Sequence, residues 1–340
     1  MIAARALVRA LAAVALALVA SVAVLSASGA HPVPALTALV AGAAGDRFAL
    51  TDTVLKTCPL LLTGLAVALA FRCGFWNVGG EGQLLIGALV ATAVGGATRG
   101  APFPLPLVAA LAGAAAAGAL WAGVAALLRI TRGVNEIVAT IMLNFVAARL
   151  LGWAVHGPLM EAAARYPQSD LVPTAALLPM LAGRVHAGVA LAAVLAVAGW
   201  FVLFRTTVGF GWRAVGDNPR AAHVAGLSPA RALLTAVLAS GALAGLAGGV
   251  EVLGVTGRLF EQFSGGQGYT AIAVALLGRL HPAGVAIAAL FFGALAAGSG
   301  AMQRVAGVSA VFVAIVQAGT LLALIAIEAR PRPSTEPDPP

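Results

Sequence analysis

Charge is what this chain has least of. Only 9% of its 340 residues are charged, against about 25% in an ordinary soluble domain, and the mean hydropathy is +1.00. A water-soluble globular fold is thereby excluded, and a polytopic membrane protein is implied. Lysine is nearly missing: Lys56 stands alone, and the net charge of +8 is carried by scattered arginines with no basic run. Such scatter argues against nucleic acid and for topology and lipid contact. Lys56 lies outside any Walker A pattern, so the chain has no loop of that kind for nucleotide phosphates. Cysteine amounts to Cys58 and Cys73. On one helix they would be roughly 22 Å apart, beyond disulfide reach. His31, His156, His186, His223 and His281 show no paired metal-ligand spacing, and no Gly-x-Ser-x-Gly elbow is present. Gly209-Phe-Gly211-Trp-Arg-Ala214 matches a degenerate dinucleotide fingerprint, but no strand precedes it. The expectation is a non-catalytic chain that binds no metal or cofactor of its own.

What is present is a series of long apolar runs. Arg5 and Arg9 precede one from about 10 to 30, long enough for a bilayer core of about 30 Å. Basic residues, an apolar run and the small residues Ser26 to Ala30 also fit a signal peptide. A span is the better reading, because the run exceeds a usual h-region of about 7 to 15 residues. Further spans are expected near 54–71, 82–98, 106–128, 135–155, 185–204, 230–250, 269–280, 283–302 and 306–327. The shortest, 269–280, reads as re-entrant or broken, which is tolerated where protein or a water-filled cavity covers its backbone. The fold expected is therefore all-α and polytopic, with about ten transmembrane helices, some broken or re-entrant, and both termini cytoplasmic. That count puts 129–133, 205–229 and the tail after Glu328 inside, where Arg129, Arg132, Arg205, Arg213, Arg220, Arg330 and Arg332 lie. Residues 1–328 read as one transmembrane domain, 156–184 as its external loop, and the proline-rich 329–340 as a disordered cytoplasmic tail.

Between two apolar runs lies a polar island, Arg205 to Arg231. Asp217 or Asn218 can cap a helix whose first position is Pro219, and Gly226 can end it after about two turns, roughly 10 Å. Ser228 followed by Pro229 repeats the start signal for the next span. The island reads either as a cytoplasmic contact device or as a solvated loop whose arginines fix topology. In the span that follows, Gly241, Gly245 and Gly249 form one stripe for close helix approach, most simply within one subunit.

Polar side chains at membrane depth are costly unless paired or facing a cavity, and they occur in two clusters. Asn77, Glu81 and Gln83 sit in the glycine-rich Gly74-Phe-Trp-Asn-Val-Gly-Gly-Glu-Gly-Gln83, a break that frees backbone groups. Glu136, Thr140 and Asn144 are spaced four apart on one helix face. Glu81 and Glu136 stand equally well as first-turn carboxylates complementing a helix dipole, and Asn144 as an interhelical hydrogen bond.

These residues resemble a known family. Phe75-Trp-Asn-Val-Gly-Gly-Glu-Gly-Gln83, Gly133-Val-Asn-Glu136 with Thr140-Ile-Met-Leu-Asn144, Arg213-Ala-Val-Gly-Asp-Asn-Pro-Arg-Ala-Ala222 and Ile272-Ala-Val-Ala-Leu-Leu-Gly278 occur in that order. They are similar to permease subunits of bacterial ABC importers for nucleosides and simple sugars, within the branched-chain amino acid and ribose permease group. Val78 and Gly80 depart from the family's usual first block in size but not polarity. The resemblance implies a bacterial plasma-membrane subunit that pairs with a second permease. A cytoplasmic ATPase, commonly a tandem fused pair of ATP-binding domains using ATP and Mg, would drive it, and an extracytoplasmic binding lipoprotein would deliver the solute. It further implies that Arg213, Asp217, Asn218, Pro219, Arg220, Ala221, Ala222 and Gly226 form the helix that contacts the ATPase. The two polar clusters would line or shape the path. A branched-chain amino acid or ribose permease stands beside this reading, as does a stand-alone secondary transporter or channel.

Overall fold

A computed structural model describes residues 31–309 and 311–328, together with Val22 and Ser26. The run expected at 10–30 falls, apart from those two residues, outside the described residues, as does the tail 329–340. The described chain is helical almost throughout, and its contacts divide it into two compact units, 50–294 and a second made of 1–49 with 295–340.

Among the described residues twelve α-helices follow in order: α1 Pro32–Ala44, α2 Arg47–Arg72, α3 Gly80–Ala97, α4 Leu105–Arg132, α5 Glu136–His156 and α6 Ala187–Arg205, then α7 Thr207–Asp217, α8 Pro219–Val224, α9 Pro229–Glu251, α10 Gln267–Leu277, α11 Pro282–Ala306 and α12 Val311–Glu328. Among the described residues, seven are long and apolar enough to cross a membrane: α2, α3, α4, α5, α6, α9 with its continuation to Thr256, and α11. Helix α1 was not foreseen: proline in its first turn and short length hide it between longer apolar runs.

In the 50–294 unit, α9 packs most extensively on α4 and α3. Small residues make this possible. A methyl group added at Gly245 would overlap the Ala114 carbonyl, and one at Gly241 the Gly118 carbonyl, while Gly249 faces Ala114 and Ala91. The stripe of three glycines is thus used up against α4 of the same chain. On its other side α9 meets α3, with Gly248 against the Leu84 carbonyl and Gly87 against the Gly245 backbone. In the other unit, Gly42 of α1 faces Ala301 and Gly298 near the end of α11.

The long connection 157–186 contains a short hairpin, Met180–Ala182 with Val185–His186, and is stitched to the segment after α9. Ser169 donates its amide to the Leu259 carbonyl at 2.7 Å, Val172 to Gly257 at 2.9 Å and Leu178 to Leu253 at 2.9 Å. Residues 252–256 form a π turn, and Leu253 within it and Gly257 and Leu259 just after it have carbonyls that need such donors. The loop therefore caps its end of the bundle.

Candidate functional site

The site is a place where two helices begin inside the bundle. Helix α10 has 11 residues, about 16 Å at 1.5 Å each, roughly half of a bilayer core. It is the broken element expected at 269–280. Helix α3 starts at Gly80 only after a non-helical stretch, Phe75 to Gly79. The two amino-termini meet: the Glu81 carboxylate accepts the Gly268 amide at 2.8 Å, and Gly80 lies against the Gly268 backbone. Ser264 and the Tyr269 amide also act on that carboxylate. Four amides at each start have no partner in their own helix. An acid between two positive helix ends answers both that deficit and the dipoles.

Depth follows from the neighbours. Asn77 donates to Ser240 Oγ at 3.0 Å, and Ser240 lies eleven residues beyond Pro229, about 16 Å along α9. Gly82 donates its amide to Asn144 Oδ1 at 2.8 Å, and Asn144 lies eight residues beyond Glu136, about 12 Å along α5. The break thus sits well inside helices that span, so Glu81 stands in a first turn that is itself deep, away from either end of α5 and α9.

Extended backbone at such depth must be satisfied by protein, and the polar side chains do this. Asn77 Oδ1 accepts from the Gly79 amide at 3.0 Å and from Gln83 Nε2 at 2.9 Å, while Asn77 Nδ2 donates to Gln83 Oε1 at 3.1 Å. Asn144 Nδ2 donates to the Val78 carbonyl at 3.0 Å. Asn77, Gln83 and Asn144 are almost wholly buried. The hydrogen bonds they make run within the chain, at the break.

The other residues of the second cluster behave differently. Thr140 turns back to the Glu136 carbonyl at 2.7 Å, although it packs against Gly79. Glu136 pairs with Arg129 Nε at 3.4 Å across the α4–α5 turn, and Asn135 caps α5 through the Ile137 and Val138 amides at 2.9 and 3.3 Å. The three do share one buried face, but Asn144 alone of them reaches the break by hydrogen bonds. Ser240 and Gly268 were not singled out from the sequence. The available signals were a serine in the middle of an apolar span and Gly-Gln-Gly opening the shortest one.

At the end of the bundle reached by α6, the polar island forms a hinged pair of helices. The segment 207–217, expected as loop, is α7, capped by Thr206 Oγ1 accepting from the Gly209 amide at 3.2 Å. Its apolar side explains the difference: Trp212 and Val215 are buried with Leu69, Cys73, Leu203 and Ala236, and Trp212 Nε1 donates to Thr235 Oγ1 at 2.9 Å. Asn218 caps α8, accepting from the Arg220 and Ala221 amides at 3.1 and 3.0 Å. Gly226, at φ +87°, ends it in a Schellman turn, its amide donating to His223 and that of Leu227 to Ala222, both at 3.0 Å. Ser228 caps α9 through the Arg231 amide at 3.4 Å. Asp217, Asn218, Pro219, Arg220, Ala221 and Gly226 are exposed, Ala222 is buried, Arg213 is half-buried, and Val224 is 89% exposed. Helix α7 is the anchored arm, and α8 is the presented one.

No group of three or more histidine, cysteine or acidic side chains able to hold a metal is found among the described residues. No solved structure matches the chain. Among curated proteins, the glucose ABC transporter permease TsgB13 of Haloferax volcanii is 39% identical over 87% of this chain and 81% of its own. The guanosine ABC transporter permease NupP of Bacillus subtilis is 37% identical over 91% of this chain and 90% of its own, and a second guanosine permease of that organism, NupQ, is 32% identical over 71% and 78%. Residues 49–325 match the family described as branched-chain amino acid transport system, permease component, a stretch containing the broken α3–α10 junction and the α7–α8 arm. The chain belongs to that family of multi-pass, non-catalytic membrane permeases.

Proposed function

We propose that this permease carries a nucleoside or a simple sugar across the plasma membrane as the membrane-spanning subunit of an ABC importer. One observation carries the substrate class: the chain is 39% and 37% identical to permeases named for glucose and guanosine, over at least four-fifths of both partners. The junction of α3 and α10 is the path's centre in this reading. Glu81 already answers the two helix amino-termini that meet there, so the solute class rests on the relatives and not on those ends. Asn77, Gln83 and Asn144 shape that centre by holding the break, Glu81 joins its two halves, and Thr140 and Glu136 complete the wall.

Arg213, Asp217, Asn218, Pro219, Arg220, Ala221, Ala222 and Gly226 belong to the arm that a cytoplasmic ATPase would grip, with Val224 as its apolar tip. ATP and Mg would be used by that partner, a tandem fused pair of ATP-binding domains. A second permease subunit would complete the path, which the pairing of two guanosine permeases in Bacillus subtilis supports. A binding lipoprotein would deliver the solute to the opposite face.

The test is uptake into vesicles carrying the assembled complex. ATP-dependent entry of labelled guanosine or glucose, with none of labelled leucine, is expected. Entry of leucine alone would overturn the substrate class, and entry through this chain without any ATPase would identify a stand-alone transporter. Deleting 218–227 is expected to abolish co-purification with the ATPase while the permease still inserts.

A further inference from the structure

Helix α6 is the least buried of the seven long apolar helices, and the space beside it has a definite chemistry. A groove of about 500 Å³ runs between α2, α6 and the start of α11, lined by Leu61, Ala193, Ala196, Val197, Ala283 and Ala286. Alanines from two helices leave the channel open, and its walls offer almost nothing polar. Trp200 and His281 also line it. Each is linked through ring contacts to a guanidinium. Arg205 lies over the Trp200 ring at 5.5 Å. His281 stacks on Phe204 at 5.1 Å, and Arg213 lies over the same Phe204 ring at 5.2 Å.

Among the described residues neither of those two arginines forms an ion pair, and Arg213 Nε is a buried donor without an acceptor. Arg72 lies within electrostatic reach of both Arg213 and Asp217, and is itself committed to the Leu280 and Arg279 carbonyls at 3.1 and 3.3 Å. An apolar channel lined by an indole that carries one guanidinium, with a second guanidinium one ring beyond its histidine, is complementary to a molecule with a hydrocarbon chain and an anionic head.

We infer that this groove holds one anionic phospholipid, an acyl chain lying between α6 and α11 and the phosphate at Arg205 and Arg213. The lipid would fix α6 where it runs into α7, and so steady the arm from the membrane side.

Native mass spectrometry of the full chain in detergent tests this, with equal amounts of dioleoyl phosphatidylglycerol and dioleoyl phosphatidylcholine. Preferential retention of one phosphatidylglycerol is expected. Arg205→Gln should lower that preference about fivefold, the effect of one basic residue near an anionic lipid. Ala283→Leu, and independently Ala196→Leu, should lower retention of both lipids at least about tenfold while the chain elutes as before. Should both groove variants misfold, brominated phosphatidylglycerol decides in the unaltered chain: it should quench more emission than in Trp200→Phe. Equal retention of the two lipids, retention unchanged in the filled grooves, or equal quenching would overturn the assignment. Disulfide dimers of a Val197→Cys chain in native membranes would instead give the groove to a second copy, and would also overturn it.

Discussion

Asn144→Leu is the substitution that separates a brace from a path-lining side chain. Leucine has similar bulk, so the change removes two hydrogen bonds with little loss of packing. Left behind are the Gly82 amide, bound at 2.8 Å, and the Val78 carbonyl, bound at 3.0 Å. Interhelical hydrogen bonds between side chains in membranes average only about 0.6 kcal/mol, because the unfolded chain in lipid finds other partners. That low figure does not carry over. The Gly82 amide is one of the first-turn donors of α3, which no carbonyl within α3 can accept, and Val78 precedes the helix. Two orphaned buried groups at about 1–3 kcal/mol each give a loss of about 2–6 kcal/mol. Thr140→Val is the control on the same face. Its hydroxyl bonds only to carbonyls of its own helix, Glu136 and Ile137, which keep their backbone partners, so its removal should cost no more than about 0.5–1.5 kcal/mol. Equilibrium unfolding in mixed micelles, followed by circular dichroism, reads both. Transport by Asn144→Leu should fall together with membrane abundance. Equal stability of the two variants, or normal abundance with lost transport, would refute the bracing role and return Asn144 to the path.

Other outcomes follow from the same contacts. Gly245→Leu drives a side chain into the Ala114 carbonyl and Gly118; folded protein should drop below detection by size exclusion, whereas Gly96→Leu, which meets nothing within 4 Å, should not. Asn218→Ala removes the cap of α8 and should destabilise that helix by about 0.5–2 kcal/mol, visible as faster amide exchange at Arg220 and Ala221 and weaker ATPase co-purification, with global unfolding unchanged. Burial holds the His186 imidazole below its ordinary 6.5, and its Nδ1 must stay unprotonated to accept the Gly188 amide at 3.1 Å. The unfolded chain therefore takes up the proton first. Stability contributed here is complete above pH 6.5 and is lost as pH falls from there through the lower folded value. Thermal midpoints between pH 7.5 and 5 should show that step, and His186→Asn, which keeps a capping acceptor, should flatten it.

Composition and local signals alone were enough for the long apolar helices and the capped α8, because each depends on neighbours in sequence; α1 and α7 escaped them. The apolar runs at 54–71, 106–128 and 230–250 become α2, α4 and α9, with α2 starting seven residues early at Arg47 and the other ends shifted by four residues or fewer. Asn218-Pro219, Gly226 and Ser228-Pro229 act as stop and start marks because a cap bonds to amides two or three residues away. Even the shortness of α10 could be read from its length. The tertiary structure decided what each polar group meets. Asn77 finds Ser240 across 163 residues, Glu81 finds Gly268 across 187, and the glycine stripe of α9 finds α4 rather than a second copy. It also turned 207–217 from loop into helix, since Trp212 and Val215 make α7 stable only with Leu69 and Ala236 beneath them. A break and an interfacial turn look alike in sequence, both being glycine and polar residues beside an apolar run. Their depth is set by which helices surround them, and that is a property of packing.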